Sequence, residues 1–381
     1  MHDIVGGRKG SPVGGQDPTR GEPMSRPTHL PELRGAGRRK WRWLALVAVF
    51  ALVAAACGGG DDGESGSDDR SVIRFAFAPD PVWDYMNDNG MIVEWEEEFN
   101  TRIVTSSTWD EFAFFAGGHG DIVSTATYEL PLLEKETDIK TVTFGQYNHL
   151  RVSMMARPES NYETLEDIPK GSKIGVIGPV SSTLVWGFYA EKLHGLNYRV
   201  GEGDYELVVE DYFVMPELLV RGDVEAIVCI PEAAAPYLRR GEIEVMYGGE
   251  TPWELYQEIG PDPEHKGVMG NMFTSTEEWF EENEDLAAAF LELWQRGIDE
   301  WHDNQAEIIA TYPQHFAVEE EEDVEYIQQY IEDHDWFVDT VYLDEDWIEA
   351  EMSIYDLMKE TGFMEESDPT PRFEAVAPPS S

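Results

Sequence analysis

Residues 164–183 read TLEDIPKGSKIGVIGPVSST, and the passage from Lys173 onward sets the fold class. Lys173–Ile177 is a short apolar run bounded by Gly171-Ser172 and Gly178-Pro179, the pattern of a strand buried on both faces of a sheet. After the Gly-Pro turn, Ser181 opens a helix in which Leu184, Val185, Phe188, Tyr189 and Leu193 recur at helical spacing. Strand, tight turn and helix in that order argue for an α/β sheet with helices on its faces.

Working outward, the same theme repeats on both sides. Upstream, Val72–Ala78 alternates Ile73, Phe75 and Phe77 against smaller or polar neighbours, and Pro79-Asp80-Pro81 ends it. A helix is expected over Trp83–Phe99, a strand at Arg102–Thr105, a helix at Asp110–Ala116 and a strand at Asp121–Ser124. Downstream, Glu206–Glu210 and Val224–Ile230 read as strands flanking a short helix at Pro216–Arg221. Gly120-Asp121-Ile122-Val123 and Gly222-Asp223-Val224-Glu225 each follow a helix and open a short apolar strand, which suggests two lobes built alike. The C-terminal part is helical. Ser275-Thr276-Glu277-Glu278 has capping-box spacing, and Leu286, Phe290, Leu293, Trp294, Ile298 and Trp301 mark one helical face. Ala317–Asp335 is a further acidic helical region.

The chain has 381 residues and 42% hydrophobic content, enough for two lobes. Residues 34–42 (RGAGRRKWR) are basic, Trp43–Ala56 is apolar, and Ala54-Ala55-Ala56 leads into Cys57. That order describes a secretory signal, and the apolar run is shorter than the roughly 20 residues a spanning helix needs. Cys57 resembles the lipid-bearing first residue of a bacterial lipoprotein, although Ala54 stands where a larger aliphatic residue is usual. The stretch GGGDDGESGSDD at 58–69 is a polar tether, and Met24 is a candidate start. Cys229 is then the only other cysteine, so no internal disulfide forms; within Ala226–Ile230 it reads as a buried structural thiol.

Charge is the most unusual feature of the composition. Of 27 Lys+Arg and 76 Asp+Glu, nine and four lie in residues 1–56, leaving 18 basic and 72 acidic residues, a net −54. Such a surface repels phosphate, so nucleic acid is excluded as a partner. The acid is spread through the helices, which favours a solvating coat suited to high salt over a focused field for a cationic ligand.

The segment Thr164–Val176 (TLEDIPKGSKIGV), followed by the turn Gly178–Thr183, resembles the type 2 solute-binding proteins of ABC importers. The likeness is to the branch for sulfonates, nitrate and thiamine pyrimidine precursors. Pro169 and the additional Ser172 depart from that branch's usual motif. The likeness extends over about residues 71–365, including TEEWFEENEDLAAAF at Thr276–Phe290. It implies a two-lobed α/β fold of the type 2 periplasmic-binding-protein class with a helical C-terminal region. It further implies capture of a small organic ligand between the lobes (sulfonate, carboxylate or pyrimidine-like) and delivery to an ABC permease in the membrane. The expected organisation is a signal region at 1–56 and a tether at 57–70. Lobe I then spans 71–156 and 249–370, lobe II 157–248, and a loose tail 371–381. The crossings are expected near Leu150–Ala156 and Gly267–Phe273. A lipid-anchored, extracytoplasmic monomer without cofactor or metal completes this expectation.

Ligands in open α/β sheets sit beyond the carboxyl ends of strands. That rule selects Asp80 and Trp83 after the first strand, Thr125, Ala126 and Thr127 after the 121–124 strand, Ser181, Ser182 and Thr183 after KIGVI, and Glu232 after Pro231. Free amides and hydroxyls at Ser181–Thr183 suit an anionic head, with plain helix capping by Ser181 as the alternative. Trp83, Tyr147 and Trp186 are candidates to hold a flat or quaternary-ammonium group, against a bland role in the core. Asp80 and Glu232 could accept hydrogen bonds from an amine or amidine-like group, against a role as solvated loop carboxylates. His119 beside glycines reads as a turn residue rather than a metal ligand. No nucleophile elbow, zinc helix, phosphate loop or CxxC pair is present, which argues against an enzyme. The alternatives are a pyrimidine-precursor enzyme on the same fold and an extracytoplasmic ligand sensor.

Overall fold

The computed structural model describes residues 70–261, 267–334 and 336–378. The signal region, Cys57 and the tether through residue 69 lie outside the described residues.

The chain first lays down β1 (Ser71–Phe77), α1 (Pro81–Asp88), α2 (Met91–Glu98), β2 (Thr101–Ser107), α3 (Glu111–Ala116), β3 (Ile122–Thr125), α4 (Leu130–Thr137) and β4 (Thr141–His149). It then builds β5 (Ser153–Ala156), β6 (Lys173–Val176), α5 (Ser182–Tyr189), β7 (Glu206–Val209), α6 (Met215–Arg221), β8 (Ala226–Cys229), α7 (Pro231–Arg239), β9 (Glu244–Val245) and α8 (Pro252–Ile259). A third part holds β10 (Met269–Thr276), α9 (Glu277–Glu282), α10 (Glu284–Thr311), α11 (Glu321–Asp333), α12 (Glu345–Glu360) and β11 (Arg372–Phe373).

Two sheets result, ordered β11-β4-β10-β3-β1-β2 and β7-β6-β8-β5-β9. Each has a parallel trio with its first strand in the middle, β2-β1-β3 in one and β7-β6-β8 in the other. In each, an antiparallel strand lies against the third member, β10 on β3 and β5 on β8. The paired Gly-Asp segments open β3 and precede β8, the matching third strands of the two trios. Asp121 earns its place there: its carboxylate accepts from the Arg74 amide at 2.8 Å and from the Arg74 guanidinium.

Several boundaries differ from the sequence reading. The helix expected over Trp83–Phe99 is two helices, because Gly90 adopts φ 77° between them. β5 joins the second sheet, so the chain leaves the first sheet within the three residues after His149. The Ser275 cap moves one residue on: Thr276 accepts from the Trp279 amide at 3.2 Å. Arg372–Phe373, expected in a loose tail, pairs in parallel with Val142–Thr143.

The second half of α12 also departs from a lobe I assignment. Ile354, Tyr355, Leu357 and Met358 are buried with the second sheet's core, alongside Ile174, Val185 and Phe188. The first sheet's core is aromatic, with Phe75, Trp294 and Trp301 fully or almost fully buried beside Phe273 and Phe290. α12 therefore starts near the return strand and ends on the other lobe. Glu351 marks the join: fully buried, it accepts from the Met269 amide at 2.9 Å and from the Thr127 hydroxyl.

Candidate functional site

The carboxyl ends of β1, β2, β3 and β6 meet across a cleft. A cavity of about 540 Å³ lies there, walled by Thr108–Phe112 after β2, Ser124–Ala126, Tyr128 and Glu129 at β3, and Ile177–Ser181 after β6. Two smaller spaces, of about 80 and 170 Å³, share Trp109 with it and bring in Asp80, Tyr147, Asn148, Arg151 and Glu232. Volumes of this order suit a small organic ligand.

Trp109 reaches over the cleft from the β2 end. It is 39% exposed, and its ring meets that of Tyr212 edge-on at 5.7 Å. Below it, Asn271 donates to the Ser124 hydroxyl at 3.0 Å, and Ser124 in turn lies 3.1 Å from the Tyr147 hydroxyl. Tyr147 stacks on Phe273 and Trp294, so its ring is held by core aromatics while its hydroxyl end borders the cavity.

The site is acidic. Asp80, Asp110, Glu111, Glu129 and Glu232 line these spaces, and Arg151 is the one Lys or Arg among the described lining residues. Arg151 is committed to Glu232, with Nη2 2.6 Å and Nε 3.1 Å from Oε1, and its guanidinium lies 4.0 Å over the Trp336 ring. Its charge is therefore matched by Glu232, and Asp110, Glu111 and Glu129 line the 540 Å³ cavity with no Lys or Arg among its lining residues.

Burial sets the acidity of these groups. Asp80 caps α1, accepting from the Val82 and Trp83 amides at 2.9 and 3.1 Å. Burial still outweighs those bonds and pushes its carboxyl up to about 6. Glu129 rises to about 7 for the same reason, against hydrogen bonds from the Thr125 hydroxyl at 2.6 Å and the Ser181 amide. Glu111 keeps part of its surface open, yet it sits deep enough between the lobes that burial, with Glu129 and Asp110 nearby, lifts it to about 8. Glu232 is raised by burial and held back by Arg151.

The candidate residues sort clearly. Asp80, Thr125, Tyr147, Ser181 and Glu232 line the cleft. Trp83 does not: it packs 5.2 Å from Phe77 and 5.7 Å from Trp294, because the third residue of α1 faces the sheet. Trp186 is fully buried in the second lobe, donating to the Val152 carbonyl at 2.8 Å. Thr127 turns away to Glu351, as the 3-10 turn after β3 swings Glu129 into the cavity instead. Cys229 is buried, its thiol directed at the Tyr212 carbonyl.

The Ser181–Thr183 turn also differs from the reading as an open anion seat. Ser181 is the α5 N-cap at φ 58°, ψ −146°, a strained conformation for a residue with a Cβ, and its side chain caps nothing. The Ser182 hydroxyl is buried 3.5 Å from the Tyr212 hydroxyl, and Thr183 donates to the Gly178 carbonyl at 2.6 Å. The protein's own Glu129 takes the Ser181 amide from across the cleft. The residues missed from sequence are Trp109, Glu111, Glu129 and Arg151. The first two stand at a strand end like the rest, but β2 runs two residues past the expected RIVT strand.

No protein-family model matches the sequence, and no curated protein matches it significantly. Solved structures do. The aliphatic sulphonate-binding protein of Escherichia coli matches with TM-score 0.59 and 13% identity, covering 79% of this chain and 96% of that one. The alkanesulfonate-binding protein of Xanthomonas axonopodis pv. citri, bound to MOPS, gives TM-score 0.61, 14% identity and 80% and 99% coverage. A Candida albicans protein described as having the generic periplasmic binding protein fold gives 0.57, 12%, 81% and 98%. With its paired sheets, its cleft at the strand ends and these likenesses, the chain has the periplasmic-binding-protein fold of ABC-importer solute-binding proteins.

Proposed function

We propose that this chain is the solute receptor of an ABC importer, exported, held to the membrane by a lipid on Cys57, and closing its lobes on a small organic molecule for delivery to the permease. The observation that carries the reading is a ligand-sized cavity walled by both lobes at their strand ends. The chain passes between the sheets after β4 and again on the way into β10, the connectivity of jaws that swing about a hinge. Among the described residues no helix is long and apolar enough to cross a membrane and no metal-binding group of side chains occurs.

The test is twofold. A bound solute should raise the melting temperature of the folded body in proportion to its affinity and concentration, and shrink the radius of gyration by scattering, without being turned over. Chemical conversion of the solute would sink the receptor reading. For the anchor, Cys57→Ser should move the protein from the membrane fraction to the soluble one. Equal recovery of both forms in the membrane, with no lipid on the wild type, would remove it.

A further inference from the structure

Two acceptors on the cleft wall have no partner. Glu232 Oε2 is buried without a hydrogen bond, although Oε1 of the same carboxylate holds Arg151. Asn148 Oδ1, on β4 beside the smaller cavity, is likewise buried and unpartnered. Glu232 is 3% and Asn148 2% exposed, so water does not readily satisfy them. A buried acceptor without a donor costs stability, and a ligand that brings hydrogens to it recovers that cost.

On these two atoms, and on the carboxylates that share their walls, we infer that the cleft takes an organic cation bearing N–H donors, an ammonium or amidinium, with an apolar or aromatic body. This rests on the solute-receptor reading and gives its ligand a charge. An anion would meet the carboxylates of Asp80, Asp110, Glu111, Glu129 and Glu232, with Arg151 already committed to one of them. At the helix terminus that could have welcomed it, the Ser181 backbone already faces the carboxylate of Glu129. A quaternary ammonium would answer the charge but not the missing hydrogens. Trp109 and Tyr128, at the 540 Å³ cavity, offer flat surfaces for the body of such a ligand.

Protonation supports the same assignment. The groups facing the 540 Å³ cavity are Glu111, Glu129 and Asp110 from the first lobe's loops, and Asp80, Arg151, Glu232 and His315 line the smaller space that shares Trp109 with it. Because burial leaves Glu111 and Glu129 partly protonated near neutral pH, a cation should bind more tightly as pH rises through their range of about 7 to 8.

The test is calorimetric titration at pH 6 and pH 8.5 with benzylamine, benzamidine and agmatine, against benzoate, benzenesulfonate and benzyltrimethylammonium. We expect one or more of the three N–H cations to bind, at least tenfold more tightly at the higher pH. Glu111→Gln should weaken that binding about tenfold to a hundredfold, the scale of a lost bond to a charged group. Glu232→Gln should also weaken it. If that variant folds poorly because Arg151 is left unpaired, Glu111→Gln alone decides. Binding of benzoate or benzenesulfonate without any amine overturns the cationic assignment and leaves the receptor reading standing. Equal binding of benzyltrimethylammonium overturns the donor requirement. Binding by no member of either charge overturns the cationic assignment, and the receptor reading is then decided by the melting and scattering test.

Discussion

The molecule carries two populations of acid that do opposite things. One is the coat: Glu278, Glu281, Glu282, Glu319, Glu320, Glu345 and Asp346 stand exposed along the C-terminal helices. Where such residues meet cations the contacts are loose surface pairs, as with Arg240 and Glu319 at 3.4 Å, worth about 0–1 kcal/mol. The other is the cleft, where Asp80, Glu129 and Glu232 are buried and Glu111 is sunk between the lobes. In the coat, charge is cheap singly and costly in sum, through self-repulsion over the surface. In the cleft each charge is costly singly, through lost hydration, and is retained where a ligand can use it. Net charge alone does not separate the two, but burial does.

The largest expected effect falls on the coat. With a net charge of −49 for the chain, raising sodium chloride from about 0.02 M to 1 M shortens the screening distance from tens of ångströms to about 3 Å. The melting temperature of the ligand-free protein should rise by roughly 5 °C or more, several kcal/mol on the scale of a domain this size. A flat curve, repeated in a second salt, would remove self-repulsion as a property of the coat.

The cleft should respond to pH instead. Glu111 is lifted from an ordinary value of 4.5 to about 8, so the unfolded chain gives up this proton first. The stability this group contributes is fully present below about pH 4.5 and is lost as pH rises through about 8. Glu111→Gln should therefore raise the melting temperature at pH 9 by roughly 3 °C or more and leave it nearly unchanged at pH 5. The exposed Glu278→Gln should stay within about 0.5 kcal/mol at both. Equal responses from the two variants would erase the distinction between coat and cleft.

The smallest effect concerns the turn at α5. With its hydroxyl buried against Tyr212 at 3.5 Å, Ser182 is a packing residue here, and Ser182→Ala should cost about 1 kcal/mol or less of stability. Its benzamidine affinity should remain within twofold of wild type. A tenfold loss would return the turn to the ligand-binding surface.

How far the sequence reaches follows from the same contrast. KIGVI and VIRFAFA announce their strands because burial on both faces needs apolar runs, and the strand-end rule then places Asp80, Thr125, Ser181 and Glu232 on the cleft. Trp83 and Trp186 could not be assigned that way, since a tryptophan near a strand end looks alike whether it faces the ligand or the core. Glu129 was lost among many carboxylates in the sequence. Its significance depends on the Ser181 amide 52 positions away, a pairing made by the meeting of two lobes. The C-terminal helices were legible by periodicity, but the transfer of α12 to the second lobe rests on long-range packing of Tyr355 and Met358.

The most direct measurement is the proton balance of binding. Benzamidine, titrated at pH 7.5 in two buffers of different ionisation enthalpy, reports how many protons leave the protein as the complex forms. If Glu111 and Glu129 face the bound cation, their carboxyls must ionise, and a net release of protons is expected that Glu111→Gln diminishes. Binding with no release, or with uptake of protons, would contradict a cleft whose buried carboxylates hold the ligand's charge.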